Sequence, residues 1–204
     1  MSEASASGPV LVAMTGATGA IYGIRLLEVL RELGVETHLV VTRWAQATVT
    51  TETDRRVDDV RALATAVHDE HDLAAPPGSS AFATAGMVVA PCSMRTLAAV
   101  AHGLEDNLVE RAAALHLRER RRLVLLARES PLSVIHLDNM LRVAKAGAVV
   151  APPVPAFYAK LRTLDDMVDH TVGRALDLLG LEHGGIRRWG ERRAALGPVR
   201  SADV

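Results

Sequence analysis

The segment from Val10 to Gly34 places the strongest constraint on the fold of this chain. An apolar run of strand length, Val10 to Met14, is followed by a turn of small residues at 15–19. Apolar residues then recur at helical spacing up to Gly34, which stands where a glycine commonly ends a helix. The pattern predicts a strand, a tight turn and a helix whose free N–H groups face the turn. Such a turn either holds an anion or is a simple packing connection.

Strands and helices alternate through the rest of the chain. We predict further strands at 36–42, 86–91, 120–127 and 148–151, and further helices at 44–49, 57–67, 97–102, 107–117, 136–146 and 164–179. Most of the strands are continuous apolar runs, which is typical of a parallel sheet covered by helices on both faces. The sequence therefore predicts an α/β fold, a three-layer sandwich around a mainly parallel sheet.

Composition narrows the class of protein. The chain has 204 residues, is 49% hydrophobic and only 3% aromatic, and therefore suits one domain with an aliphatic core. The net charge is −1, and no basic stripe interleaved with aromatic residues is present, so we predict no nucleic-acid partner. We expect a disordered segment at 1–9, a single domain at 10–182 and a polar tail at 183–204.

The location of the protein is also predicted from the sequence. The first nine residues lack the apolar core of a signal peptide, and no apolar run has the length needed to span a bilayer. We therefore expect a cytoplasmic protein without a membrane span.

Ligands of parallel α/β sheets bind beyond the carboxyl ends of the strands, so the residues that follow each predicted strand are the first candidates for a site. These residues are the turn at 16–19, Thr42 and Arg43, the stretch at 92–96, the stretch at 128–131, and Phe157, Tyr158 and Lys160. Together they offer backbone amides, hydroxyls, cations and one carboxylate. This rim predicts a site for a phosphorylated ligand with an acid–base group beside it.

Each of these features also has a structural interpretation. The glycine spacing differs from the G-x-G-x-x-G of dinucleotide-binding proteins. Ser93 and Thr96 suit a helix cap as well as a ligand contact. Glu129 suits a general acid–base in a buried site, but it also suits a surface ion pair with Arg128. We interpret Cys92 as a small buried apolar residue.

Two charged motifs have simple interpretations. Asp165, Asp166 and Asp169 resemble the aspartate-rich magnesium motif of prenyl diphosphate synthases. Thr163 is a good N-cap, however, and acids in the first turns of a helix suit its dipole, so we predict no metal site. We interpret the basic run at 118–122 mainly as a solvated helix end, with one member available to a phosphate.

Seven stretches carry a resemblance to a known family. They are MTGATGAIYGIRLL (14–27), ETD (52–54), PCSMRTLAAVAHG (91–103), NLVERAA (107–113), ERRRLVLLARESPLSVIHLDNM (119–140), GAVVAPPVPAFY (147–158) and RWGE (188–191). In these motifs and in their order, the chain resembles the UbiX-type flavin prenyltransferases. The resemblance covers nearly the whole sequence.

The resemblance implies a Rossmann-like (flavodoxin-like) homo-oligomer, commonly a dodecamer, with its site between subunits. It implies transfer of a dimethylallyl group from dimethylallyl monophosphate to N5 and C6 of reduced FMN, without a metal. It also implies that the product, prenylated FMN, serves a partner decarboxylase of the UbiD type.

Functional residues follow from the resemblance position by position. The implied FMN contacts are Gly16, Ala17, Thr18, Thr42, Ser93, Met94, Arg95, Thr96 and Arg128. The implied catalytic residues are Glu129, Thr18 and Arg111, and the implied contacts of the prenyl donor are Tyr158, Arg174, Arg118, Glu52 and Trp189. The resemblance further implies that Arg118, with Arg111, reaches the donor from a neighbouring subunit.

The chain departs from the family pattern in three places. Thr18 stands where serine is usual, and Arg118 stands where many members have lysine. The region around Leu73 lacks an aromatic residue that some members have.

Two other functions stay open at this point. One is an FMN-dependent decarboxylase of peptidyl or pantothenoyl cysteine, although the sequence lacks the asparagine-rich substrate motif of that class. The other is a non-catalytic flavin carrier for a decarboxylase, which would bind FMN and form no new bond.

Overall fold

A computed structural model describes residues 8–183 of the chain. The strands are β1 Val10–Met14, β2 Thr37–Val41, β3 Ala66–His68, β4 Gly86–Cys92, β5 Leu123–Ala127 and β6 Val149–Val150. The helices are α1 Ala20–Glu32, α2 Arg43–Glu52, α3 Val57–Arg61, α4 Met94–His102, α5 Leu108–Arg118, α6 Val134–Ala146 and α7 Leu164–Leu179. Short 3-10 turns occupy Pro76–Gly78 and Phe157–Ala159.

The strands form one sheet in the order β3-β2-β1-β4-β5-β6, and every neighbouring pair is parallel. The strand order reverses between β1 and β4, because the chain builds outward from β1 in one direction and from β4 in the other. In such sheets the crevice at the reversal point is where ligands bind. The predicted α/β fold with a parallel sheet is confirmed.

Alternation along the strands divides the core into two layers. Val10, Val12 and Met14 of β1 face a layer that also holds side chains of α1, α2, α3 and α7. Leu11 and Ala13 face the opposite layer, which is built with α4, α5 and α6. The side chains of β1 are fully buried, as expected for a central strand covered on both faces.

One predicted helix is wrong. Residues 57–67 were expected to form a single amphipathic helix, but α3 ends at Arg61 and the chain continues into β3. The short strand pairs with the edge of β2, so that Ala66 lies beside His38 and His68 beside Val40. Pairing with β2 thus decides the conformation of three residues that carry no recognisable strand pattern.

The aspartates of α7 bind groups of the protein itself. The Thr163 hydroxyl accepts from the Asp166 N–H at 3.0 Å, and the Asp166 carboxylate accepts from the Thr163 N–H at 3.1 Å. Asp169 pairs with Arg25 of α1 at 2.6 Å. These contacts agree with interpreting the motif as a helix start. Within residues 8–183, no three or more His, Cys, Asp or Glu side chains are placed to hold a metal ion.

The basic run after α5 is less solvated than predicted. Arg121 donates to the backbone oxygens of Phe82 and Ser80, each at 2.6 Å. Arg122 donates to the backbone oxygen of Leu179 at the end of α7. The interpretation as a solvated helix end is therefore wrong for Arg121, which holds the loop at 80–82, whereas Arg122 is exposed as predicted.

The described part of the chain contains no helix that is both long and apolar enough to cross a membrane. Residues 1–7 and 184–204 lie outside the described range. The predicted division into terminal segments and one domain therefore stays a prediction.

Candidate functional site

A cavity of about 690 Å³ opens at the carboxyl ends of the central strands. Its lining residues are Thr15, Gly16, Ala17, Thr18, Thr42, Arg43, Trp44, Glu70, His71, Ser93, Met94, Arg95, Thr96, Asp106, Asn107, Arg128 and Glu129. Every residue predicted to contact FMN is in this set, and so is Glu129. The volume is within the range of sites for small molecules and cofactors.

Close contacts between strand ends fix the floor of the cavity. The Thr15 hydroxyl donates to the Pro91 backbone oxygen at 2.8 Å and accepts from the Ser93 N–H at 2.8 Å. A Cβ at Gly16 would lie 2.4 Å from the Trp44 Cβ, so any larger residue there would displace the start of α2. Trp44 packs closely against Gly16 through its Cβ, yet the residue is 71% exposed. Its aromatic ring therefore offers a surface at the cavity wall.

The glycine turn predicts free N–H groups at the start of α1, but a carboxylate of the protein occupies two of them. The N–H groups of Gly19 and Ala20 donate to one oxygen of Glu52 at 2.8 and 2.9 Å. This carboxylate, from the end of α2, supplies the negative charge that favours a helix N-terminus. The prediction of a ligand-binding helix start is therefore wrong for these two amides.

Glu52 lies beside the cavity without lining it. Its burial would raise the pKa of the carboxyl, but hydrogen bonds from the Thr18 side chain and from the Ala20 and Gly19 amides, with the charge of Arg128, lower it overall. Glu52 is thus an anion that holds Thr18 and α1 in place. Its predicted contact with the prenyl donor stays a prediction.

The start of α4 remains open to a ligand. At α2 the Arg43 N–H donates to Glu70 at 2.6 Å, so that helix start is also closed by a carboxylate. At α4 the Ser93 hydroxyl caps the Thr96 N–H at 3.2 Å, whereas the Met94 and Arg95 amides donate to no acceptor within residues 8–183. Free amides at a helix start suit an anionic ligand. Ser93 thus caps α4 and also lines the cavity, and its predicted contact with FMN stays a prediction.

Glu129 follows β5 and is exposed at the cavity. Its Oε1 accepts from the Ser130 N–H at 2.9 Å, and none of the ion pairs among the described residues joins it to Arg128. The surface ion pair left open from the sequence is thus not present. The single chain does not bury this carboxylate as an acid–base role would require.

Arg111 and Arg118 lie away from this cavity, in a second one of about 310 Å³ that also includes Leu73. Arg111 donates to the Gly78 backbone oxygen at 2.8 Å and pairs with Glu105 at 3.1 Å. The Arg118 side chain is 61% exposed. Both arginines belong to α5, and their predicted site contacts are not made within one chain.

Tyr158 and Arg174 form a third group. The Tyr158 hydroxyl lies 3.4 Å from Nε2 of His170, and Arg174 pairs with Asp177 at 2.7 Å. Burial and the neighbouring Arg174 charge lower the pKa of His170. Because α7 and α5 pack on opposite faces of the sheet, one chain cannot bring this pair together with the arginines of α5. The remaining predicted contact, Trp189, lies outside the described residues.

Several cavity residues were absent from the predicted site. They are Thr15, Trp44, Glu70, His71, Asp106 and Asn107. Glu70 and His71 come just after β3, so the strand-end rule would have found them if that strand had been recognised. Asn107 caps α5 through the Glu110 N–H, and only this cap signalled its position.

Comparison with known proteins agrees with the family resemblance of the sequence. The family model described as Flavoprotein matches residues 1–176. A probable UbiX-like flavin prenyltransferase of Streptomyces sp. (strain D7) is 53% identical over 193 residues, which is 94% of this chain and 96% of the relative. This chain therefore matches that relative over almost its full length.

Two solved structures share the fold at high identity. The crystal structure of AnUbiX (PadA1) in complex with FMN and dimethylallyl pyrophosphate is 56% identical, with a TM-score of 0.88 over 90% of this chain and 97% of that one. A dodecameric FMN-dependent UbiX-like decarboxylase from Escherichia coli O157:H7 is 52% identical, with a TM-score of 0.86 over 89% and 98%.

Proposed function

The chain belongs to the family of UbiX-like flavin prenyltransferases, and we propose that it joins a dimethylallyl group to N5 and C6 of reduced FMN. The observation that supports this most is the cavity at the strand ends. It gathers every residue predicted to contact FMN around the reversal point of the sheet, with the carboxylate of Glu129 at its edge. The product, prenylated FMN, would serve a UbiD-type decarboxylase.

The residues of the cavity fit FMN. The hydroxyls of Thr18, Thr42 and Ser93 and the free amides at the start of α4 suit the phosphate and carbonyl oxygens of this ligand. Trp44 offers an aromatic surface to a planar ring, and Arg128 adds positive charge. When bound, reduced FMN supplies the nucleophilic nitrogen and carbon that the reaction alkylates.

The protein side chains have two tasks in this reaction. Breaking the C–O bond of the donor leaves an allylic cation and a phosphate, and arginine and tyrosine side chains stabilise the charge that develops on the phosphate. We assign this task to Arg111, Arg118, Tyr158 and Arg174. Glu129 assists departure of the phosphate and later accepts the proton from C6. Holding the two substrates together lowers the barrier further.

We propose dimethylallyl monophosphate as the donor. The related structure contains dimethylallyl pyrophosphate, which is therefore the alternative to compare. Rates of adduct formation with each donor at equal concentration decide between them. A higher kcat/KM with the pyrophosphate would contradict the proposal.

We further propose a homo-oligomer, a dodecamer as in the Escherichia coli relative, with the site completed between copies. The donor-binding residues form three separate groups in one chain, so a complete site needs neighbouring copies. The outer side of α6 also carries exposed apolar residues that a neighbour would cover: Val134 at 73%, Ile135 at 71%, Leu141 at 54% and Leu137 at 50%. The cytoplasm remains the proposed location.

One anaerobic experiment tests the proposed reaction against its alternatives. The protein is incubated with reduced FMN and dimethylallyl monophosphate, and the released flavin is weighed by mass spectrometry. We expect the flavin mass to increase by one C5H8 unit. Bound flavin of unchanged mass would instead indicate a carrier, and release of CO2 from a cysteine-terminated peptide would indicate a cysteine decarboxylase.

A further inference from the structure

A fully buried carboxylate stands behind the wall of the cavity. Glu110, in the first turn of α5, has no exposed side-chain surface, and its Oε1 lies 2.7 Å from Nη1 of Arg95. The Arg95 side chain itself is 69% exposed and lines the cavity. The ion pair therefore connects a buried anion to a cation that faces the site.

Glu110 also holds the neighbouring loop. Its Oε2 accepts from the Asp106 N–H at 3.1 Å, and its own N–H donates to the Asn107 side chain at 3.0 Å. Asp106, Asn107 and Arg95 all line the cavity. One side chain thus fixes wall residues that come from two different elements.

We propose that Glu110 is a positioning residue for FMN binding, acting through Arg95. This inference rests on the proposed function. A guanidinium has five N–H donors, and Glu110 engages one nitrogen, so others remain available to an anionic or carbonyl oxygen of the ligand. A long side chain that is already held in its binding orientation loses less conformational freedom when the ligand arrives.

Stability alone does not explain a buried carboxylate at this position. Its neighbours on α5, Leu108, Val109 and Ala112, are buried and apolar. The desolvation cost of a buried ion pair commonly offsets its Coulomb attraction, so an apolar residue would serve the core at least as well. Orientation of Arg95 is a task that an apolar residue could not perform.

A double-mutant cycle in the full-length protein tests the proposal. The dissociation constant of FMN is measured by flavin fluorescence for wild type, Glu110→Gln, Arg95→Gln and the double variant. We expect Glu110→Gln to raise the Kd by roughly 3- to 10-fold, and to add nothing in the Arg95→Gln background. If Glu110 only stabilised the fold, the effect of Glu110→Gln on the Kd for FMN would be the same with and without Arg95.

A matched control is Glu28→Gln, which removes the partner of Arg25 and Arg55 far from the cavity and should leave the Kd unchanged. If Glu110→Gln does not fold, Glu110→Asp replaces it, since this variant keeps the charge but withdraws it from Arg95. Equal weakening with and without Arg95, or no weakening, would overturn the role of Glu110 while leaving the proposed function intact. A wild-type protein that does not bind FMN would overturn both.

Discussion

At the scale of single residues, the cavity assigns Glu129 a task that the arginines around it cannot perform. Arg43, Arg95 and Arg128 give the cavity positive charge and N–H donors, but a guanidinium has no acceptor atom for a proton. Glu129 is the carboxylate of the cavity that directly follows a central strand, and its Oε1 contacts only the neighbouring Ser130 N–H among the described groups. The proposed proton transfers therefore depend on it.

Glu129→Gln should separate binding from chemistry. The amide keeps the size of the side chain, so we expect the Kd for FMN to stay within about twofold, while adduct formation slows by roughly 10²- to 10⁴-fold because the proton acceptor is lost. Single-turnover mass spectrometry of the flavin measures the rate. Asp58→Asn, an exposed residue of α3, is the control. Adduct formation at the wild-type rate would remove Glu129 from the mechanism.

Local sequence signals found some site residues but not others. Thr18, Thr42 and Ser93 were predictable because they directly follow strands, and strand ends of a parallel sheet meet at one edge. The cap of α1 was not predictable, since Glu52 lies 33 residues from Gly19 and only the packing of α2 on α1 brings them together. For the same reason the glycine turn suggested a ligand anion where the protein supplies its own.

At the scale of elements, α1 depends on this carboxylate. Glu52→Gln should lower the free energy of unfolding by about 1 kcal/mol at neutral pH, in the range of helix-capping effects. Folding lowers the pKa of Glu52. The contribution of Glu52 to the free energy of unfolding is therefore fully present above its unfolded-state pKa, and it is lost as the pH falls through its folded-state pKa. Urea titrations at pH 7 and in moderate acid measure the difference between the two proteins.

The capping role predicts the direction in which the stability effect of Glu52→Gln changes with pH. The stability difference between wild type and Glu52→Gln should shrink as the pH decreases, because protonated Glu52 no longer carries the charge that the α1 amides bind. A difference that stays constant or grows on acidification would contradict the capping role. Asp58→Asn is again a suitable control, since Asp58 lies on the surface of α3 and pairs with its helix neighbour Arg61.

Strong local signals predicted some elements closely, and weak ones failed. The bounds of α7 were correct because Thr163 caps one end and Gly180, at φ 70°, ends the other. β3 was missed because its three residues, two of them half-buried and one exposed, carry no apolar run. The strands that were predicted would alone have the order 2-1-3-4-5 of flavodoxin, and β3 extends it to the observed 3-2-1-4-5-6.

At the scale of the whole molecule, the apolar side of α6 should carry contacts between copies. Ile135→Glu places a charge on a residue that is 71% exposed in one chain, so folding should be retained while the assembly breaks into smaller species. Light scattering coupled to size-exclusion chromatography measures the mass, and circular dichroism checks the fold. An intact assembly of the Ile135→Glu protein would show that this surface lies outside the interface.

The proposed sharing of the site between copies was not predictable from residue patterns alone. Sequence motifs place Glu129, Arg118 and Tyr158 in one functional set, but the fold puts them in separate regions of the chain. In the proposed assembly a second copy unites them, and spacing along a sequence carries no information about such a neighbour. The family resemblance is the signal that suggests this arrangement.

Complementation between inactive variants tests this sharing most directly. Glu129→Gln and Arg118→Ala should each slow adduct formation by at least about 10²-fold when expressed alone, because each lacks one part of every site. When the two are co-expressed in equal amounts and assembled at random, about a quarter of the sites combine an intact Glu129 with an intact Arg118 from a neighbour. We predict that the mixed assembly forms prenylated FMN, detected by flavin mass, at about that fraction of the wild-type rate. A folded mixed assembly that binds FMN and forms no adduct would contradict a site built between copies.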